Sequence, residues 1–180
     1  FILQQFNSQF ADIQERLRAT LPDASLVETQ FNGCPGLRLA LINPDFQTGP
    51  LPSQVMHAVI ANPAYWAFCW GSGLALARYL IAEPGLVTGK TVLDVGSGSG
   101  VAGIAAALAG ASEVIACDND ADALAASAAN AVLSGVDLSL CSDLARAPVC
   151  DVALLADVLY DRSNLPLLEL TRTLARVVIV

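Results

Sequence analysis

The chain opens on an amphipathic pattern. Ile2, Leu3, Phe6, Phe10, Ile13 and Leu17 recur at three- and four-residue intervals with Gln, Asp, Glu and Arg between them, which predicts a helix with one apolar face. Packing on its own domain is the commoner fate of such a face, and a coiled-coil seam is the alternative that one short helix leaves open. The stretch "GLRLALI" (Gly36 to Ile42) predicts a strand, followed by the Pro- and Gly-rich loop "NPDFQTGPLP" and a further irregular stretch. In "WGSGLALARYLIAEP" the pattern turns helical from about Ser72 to Ala82 and is stopped by Pro84 and Gly85.

Beyond that point strands and helices alternate. "TVLDVG" predicts a strand, "SGVAGIAAALAG" a helix closed by Gly110, "EVIACD" a strand and "DADALAASAANAVLSG" a helix closed by Gly135. "LSLCSD" and "DVALLAD" predict two more strands, "NLPLLELTRTLA" a helix and "RVVIV" a last strand. Strands that are apolar on both faces, each followed by a helix, predict an α/β fold: a Rossmann-like, doubly wound, mostly parallel sheet with helices on both faces. Residues 1–62 read as an N-terminal extension, a helix plus a hairpin of short strands, and residues 63–180 as the main domain.

Composition narrows the function classes. At 180 residues and 18.7 kDa the chain can bury a real core, and its 54% hydrophobic content is broken into runs too short for a membrane span, which needs roughly 18 apolar residues. That predicts a soluble protein. The five cysteines (Cys34, Cys69, Cys117, Cys141, Cys150) are scattered, with no C-x-x-C pair, and His57 is the only histidine. A zinc site, a disulfide framework and the usual hydrolase triads are thereby disfavoured, and the cysteines read as buried, inert thiols of a cytoplasmic protein. Charge is uneven: residues 91–161 hold ten acids against Arg146 alone, a net of −9. Such a field repels polyphosphate and attracts cations, so no nucleic-acid or membrane partner is expected.

Two glycine fingerprints overlap in "VLDVGSGSGVAG" (92–103). Gly98, Gly100 and Gly103 spell the dinucleotide pattern G-x-G-x-x-G, while Asp94, Gly96, Gly98 and Gly100 spell the D-x-G-x-G-x-G pattern of S-adenosylmethionine enzymes. Both sit between a strand and a helix, and Asp118 at the end of the next strand would hold a ribose in either case. The P-loop lookalike "PGLVTGKT" is one residue short between its glycines and precedes a strand instead of following one. Asp94 tips the balance, because an ionised side chain inside an apolar strand must find donors or a cationic ligand. S-adenosyl-L-methionine, and neither NAD nor NADP, is the expected cofactor.

From "AYWAFCWGSGLALARYL" through the glycine loop and "EVIACDNDADALAASAANA" to "LLADVLYD", the chain resembles the class I, seven-strand S-adenosylmethionine-dependent methyltransferases. Within them it is most similar to the protein-lysine methyltransferase group that includes the enzyme acting on the electron-transfer flavoprotein β-subunit, with its nicotinamide N-methylase-like bacterial relatives. The resemblance implies that Asp94, Gly96, Gly98 and Gly100 form the cofactor loop, that Asp118 accepts from the ribose, that Asn119 lies beside the adenine and that Asp143 meets the adenine amine. It places Trp70 over the methionine end, with Gly71 where the family commonly has proline, whereas Trp66 reads as an ordinary core aromatic.

The D-x-x-Y motif of "ADVLYD" supplies Asp157 and Tyr160 as the catalytic pair of the resemblance, a carboxylate and an aromatic wall to grip a lysine ammonium. An acidic mouth of Asp118, Asp120, Asp143 and Asp161 is expected around them. The implied activity is N-methylation of a lysine in a partner protein, the flavoprotein β-subunit or a ribosomal protein. A nicotinamide-like small amine as acceptor, or a non-catalytic cofactor-binding module, remain the alternatives. The resemblance also implies an antiparallel pair of C-terminal strands beyond "RVVIV", and the start at Phe1 in place of Met implies residues upstream.

Overall fold

The computed structural model describes residues 2–46 and 49–180, with side chains from Asn7 onward. Phe1, Gln47 and Thr48, and the side chains of Ile2, Leu3 and Phe6, lie outside that set. Helix α1 (Ile2–Thr20) leads into an antiparallel hairpin of β1 (Leu26–Gln30) and β2 (Arg38–Ile42), then α2 (Ser53–Ala61) and α3 (Gly71–Ala82). The alternating part follows as β3 (Thr91–Val95), α4 (Val101–Leu108), β4 (Glu113–Cys117), α5 (Ala121–Ser134), β5 (Ser139–Cys141), β6 (Cys150–Leu154), α6 (Leu165–Leu174) and β7 (Ala175–Ile179).

Strands β3 to β7 form one parallel sheet in the order β5-β4-β3-β6-β7. Strand alternation sorts its two faces. Val92, Val114, Val152 and Leu154 turn toward Leu76 and Leu80 of α3 and Ala102 and Ala106 of α4, while Leu93, Ile115 and Ala153 pack toward α6. Helices therefore cover both faces, as the doubly apolar strands predict. The chain runs outward through β3, β4 and β5, then crosses back to β6 on the far side of β3. That reversal opens a crevice at the carboxyl ends of β3 and β6, the usual ligand position in open parallel sheets.

The N-terminal extension is built onto this layer. Ile13 and Leu17 of α1 are fully buried against Ala126 and Ala129 of α5 in one cluster with Ala40, so α1 packs on its own chain. Arg16 adds a 2.6 Å ion pair to Asp122 at the start of α5. The segment read as irregular between Pro52 and Tyr65 is corrected: it contains α2, followed by a 3-10 turn over Tyr65–Ala67. Its pattern hides the helix because apolar residues lie all around "SQVMHAVIA", and only Val55 and Val59, one turn apart, pack against the core. Cys34, Cys117 and Cys150 are buried, Cys69 and Cys141 half-buried, and all five are free thiols. Among the described residues no helix is long and apolar enough to cross a membrane, and no His/Cys/Asp/Glu group could hold a metal ion.

Candidate functional site

A cleft of about 800 Å³ opens at the carboxyl ends of β3, β4, β5 and β6. Its floor is the turn from β3 into α4. Gly96, Gly98 and Gly100 hold φ of 69°, 52° and 80°. At Gly96 the requirement is steric as well, since a Cβ there would lie 2.6 Å from Cγ2 of Val158. The turn keeps its backbone bare toward the cleft and delivers the first amides of α4 to it.

Asp94 is buried on the α4 side of the sheet and accepts a 2.9 Å hydrogen bond from the Gly103 amide. Burial pushes its carboxyl up to about 7; the Gly103 bond opposes that shift, and the charge of Asp118 adds to it. Asp118, half-buried at the end of β4, accepts from the amides of Gly98 and Asp120, both at 3.0 Å. Its pKa is also raised, chiefly by burial. Two of its lone-pair positions are thus spent on backbone, and a carboxylate has about four.

Two residues that the sequence reading passed over brace this loop from α5. The Ser127 hydroxyl donates to the Gly98 carbonyl and is hydrogen-bonded to the Ser97 hydroxyl, each at 3.1 Å. Asn130, one turn later and fully buried, donates to the Ser99 carbonyl at 2.8 Å and accepts from the Ala40 amide of β2 at 2.7 Å. The signal was present: Ser and Asn at i and i+3 interrupt the apolar face of an Ala-rich helix, and polar atoms buried there need partners.

The other side of the cleft belongs to the segment after β6 and the start of α3. Asp157 has φ of 55°, the sole non-glycine positive value among the described residues. Its carboxylate accepts from Gly73 N at 2.7 Å and from Ser72 N at 3.4 Å, while its own amide donates to the Ser72 hydroxyl at 2.8 Å. An expected acceptor-gripping acid is therefore engaged with the amino end of α3, where a negative charge is favoured by the helix dipole. Trp70, immediately before α3, lines the cleft with its indole N–H on the Tyr65 carbonyl at 2.9 Å. Tyr160 lines it too and is largely exposed.

Asn119 and Asp143 both reach the cleft, Asp143 while accepting from the Ala145 amide at the start of a 3-10 turn. Trp66 is core, as expected, and also backs the cleft wall. Asp161 is a correction: it does not line the cleft, and its carboxylate instead accepts from Ser163 N at 2.8 Å, starting the turn before α6. The acidic lining is Asp94, Asp118, Asp120, Asp143 and Asp157, with no Lys, Arg or His among the described residues.

This geometry has counterparts among known proteins. The family model of ribosomal protein L11 methyltransferase (PrmA) matches residues 78–173, from α3 to α6. The chain belongs to this methyltransferase family. The match takes in the glycine loop, Asp118, Asn119, Asp143, Asp157 and Tyr160, and it stops short of Trp70. Electron transfer flavoprotein beta subunit lysine methyltransferase of Danio rerio is 37% identical over 72% of this chain and 47% of its own length. The Xenopus laevis protein of that description is 50% identical over 59% of this chain and 44% of its own. The chain thus spans about half, or less, of these relatives. A Pyrococcus horikoshii structure, described as a candidate RNA methyltransferase, shares the fold at a TM-score of 0.51 and 23% identity, over 59% of this chain and 56% of that one.

Proposed function

We propose that this chain forms the cofactor-binding and transfer core of an S-adenosylmethionine-dependent N-methyltransferase that modifies a lysine side chain of a partner protein. The observation that carries the reading is the content of the cleft: five carboxylates, no basic side chain among the described residues, and aromatic rings at its mouth. A dinucleotide would bring a pyrophosphate into that field unaided by any cation, whereas a sulfonium-bearing cofactor and an ammonium acceptor are both drawn to it.

The residues fit the cofactor. The glycine loop leaves room for it against bare backbone, Asp118 retains lone pairs for ribose hydroxyls, Asn119 and Asp143 sit at the rim for the adenine, and Trp70 covers the methionine end. When bound, S-adenosylmethionine supplies an activated methyl group that needs an aligned neutral amine and no metal or covalent intermediate. Asp94 and Asp118 favour the positive charge. Tyr160 presents a π-face to the acceptor, and Asp157 positions it by tying the segment after β6 to α3. The ammonium proton leaves to water at the open mouth.

The relatives' own acceptor makes the electron-transfer flavoprotein β-subunit the first partner to test, and the family's makes a ribosomal protein the second. Five free thiols suit a reducing, cytoplasmic setting. The deciding experiment incubates the protein with methyl-tritiated cofactor, purified flavoprotein β-subunit and, separately, nicotinamide. Label in lysine of the β-subunit is the expected result; label in nicotinamide alone, or calorimetric binding of NADH with none of S-adenosylhomocysteine, overturns the reading.

A further inference from the structure

The cleft mouth carries aromatic rings from two loops. Tyr65 and Trp70 come from the segment before α3, Tyr160 from the segment after β6, and all three line the cleft while 52%, 46% and 73% exposed. Neighbouring Trp66 is buried, so the same loop sends one large ring inward and leaves the others in water. The exposed rings are held in place. Trp70 donates to the Tyr65 carbonyl, the two rings meet edge to face at 5.9 Å and 73°, and Phe68 flanks Trp70 at 5.6 Å. Asp157 ties the two loops together through the Gly73 amide, with Gly73 three residues after Trp70 and Asp157 three before Tyr160.

Exposed aromatics clustered on one rim mark a contact surface. Tyr65 is needed neither by the core nor by the glycine loop: its ring packs on Trp70 and faces solvent. Below the rim the charged side chains among the described residues are all carboxylates. A guest suited to both layers has an apolar stem that passes between rings and a positive end that reaches the acids, which is the chemistry of an unbranched alkylammonium. A neutral flat ring would use the aromatics and leave the acids uncompensated.

Resting on the protein-lysine reading above, we propose that Tyr65 is a specificity-determining residue of the acceptor site, forming with Trp70 and Tyr160 an aromatic slot for the stem and ammonium of the incoming lysine. Trp70 is shared with the methionine end of the cofactor, whereas Tyr65 acts on the acceptor alone.

The test uses Nα-acetyl-L-lysine methylamide, titrated into the protein saturated with S-adenosylhomocysteine and followed by tryptophan fluorescence. Its norleucine analogue, with the same stem and no charge, is the control. Tyr65→Ala should weaken the lysine compound by about 5-fold or more, Tyr65→Phe should keep affinity within about 2-fold, and neither should change S-adenosylhomocysteine affinity. The norleucine compound should bind more weakly to the wild type. Equal binding to wild type and Tyr65→Ala, no binding to the wild type, or equal binding of the norleucine compound overturns the slot. The two readings fail separately. Tyr65-dependent binding without methyl transfer to any lysine removes the transferase reading alone, and lysine methylation with a KM indifferent to Tyr65→Ala removes the slot alone.

Discussion

Asp94 and Gly103 are made for each other: the carboxylate takes the Gly103 amide at 2.9 Å, and a Cβ on Gly103 would stand 2.9 Å from the same oxygen. This pairing explains why the two glycine fingerprints overlap. Gly103, the last glycine of the dinucleotide pattern, is required by the acid that begins the other pattern. Gly103→Ala should therefore destabilise the protein by about 1–3 kcal/mol, through overpacking against Asp94 and Val114. In a double-mutant cycle by urea unfolding, Asp94→Ala should relieve part of that cost, giving a coupling of at least about 0.5 kcal/mol. Strict additivity would mean that the two residues do not constrain each other.

The Asp94 carboxyl, raised to about 7 by burial, links stability to pH. Between about pH 4 and pH 7 the unfolded chain has released this proton while the folded chain keeps it, so cofactor-free stability should fall as pH rises across that window and level off above it. Asp118, raised in the same direction, adds to the slope. Cationic S-adenosylmethionine should bind more tightly over the same rise, and with a steeper pH dependence than S-adenosylhomocysteine, which lacks the sulfonium charge. Thermal melts and calorimetry from pH 5 to 8 check both, and Asp94→Asn should flatten the trend.

Asn130 joins the glycine loop to the N-terminal hairpin through two buried bonds. Removing the amide with Asn130→Ala strands the Ala40 N–H and the Ser99 carbonyl together, at a cost of about 2–4 kcal/mol. Ser127→Ala, which leaves a smaller deficit, should cost about 1 kcal/mol. Urea midpoints that place Ser127→Ala below Asn130→Ala would contradict this ranking.

Asp157 combines a left-handed backbone with a helix-capping carboxylate. Asp157→Ala should lose about 2–3 kcal/mol, from the vanished cap and the strain of alanine at positive φ. Asp157→Gly removes the strain but not the loss, so it should fall between alanine and wild type. Asp157→Asn, which tolerates the conformation and retains an acceptor oxygen, should stay within about 1 kcal/mol. An asparagine variant as unstable as the alanine one would show that charge, and not geometry, holds α3.

Methyl transfer to a lysine acceptor should weaken with added salt, because the carboxylates in the cleft act at a distance that salt screens. It should rise with pH as the acceptor ammonium loses its proton. Initial rates across ionic strength and pH test this, and a rate that climbs with salt would point to an acceptor held by apolar contact alone.

By itself the sequence determined the layer architecture and the glycine turn. Strands apolar on both faces can be satisfied only between two helix layers, and Gly96, Gly98 and Gly100 stand where positive φ and bare backbone are required. Those are local demands, written in consecutive residues. The tertiary structure alone decided the rest. Helix α2 is invisible to periodicity because it buries little, so neighbours and not its own pattern hold it. Asp157 and Asp161, four residues apart and alike as letters, part company because one meets the amino end of α3 and the other starts a local turn. Ser127 and Asn130 become loop braces only when α5 lies beneath the glycines, and Tyr65 becomes part of the rim only when the segment before α3 is tied to the segment after β6. A side chain's role there depends on which orphan amide or open cleft lies across from it, and no spacing along the chain encodes that meeting.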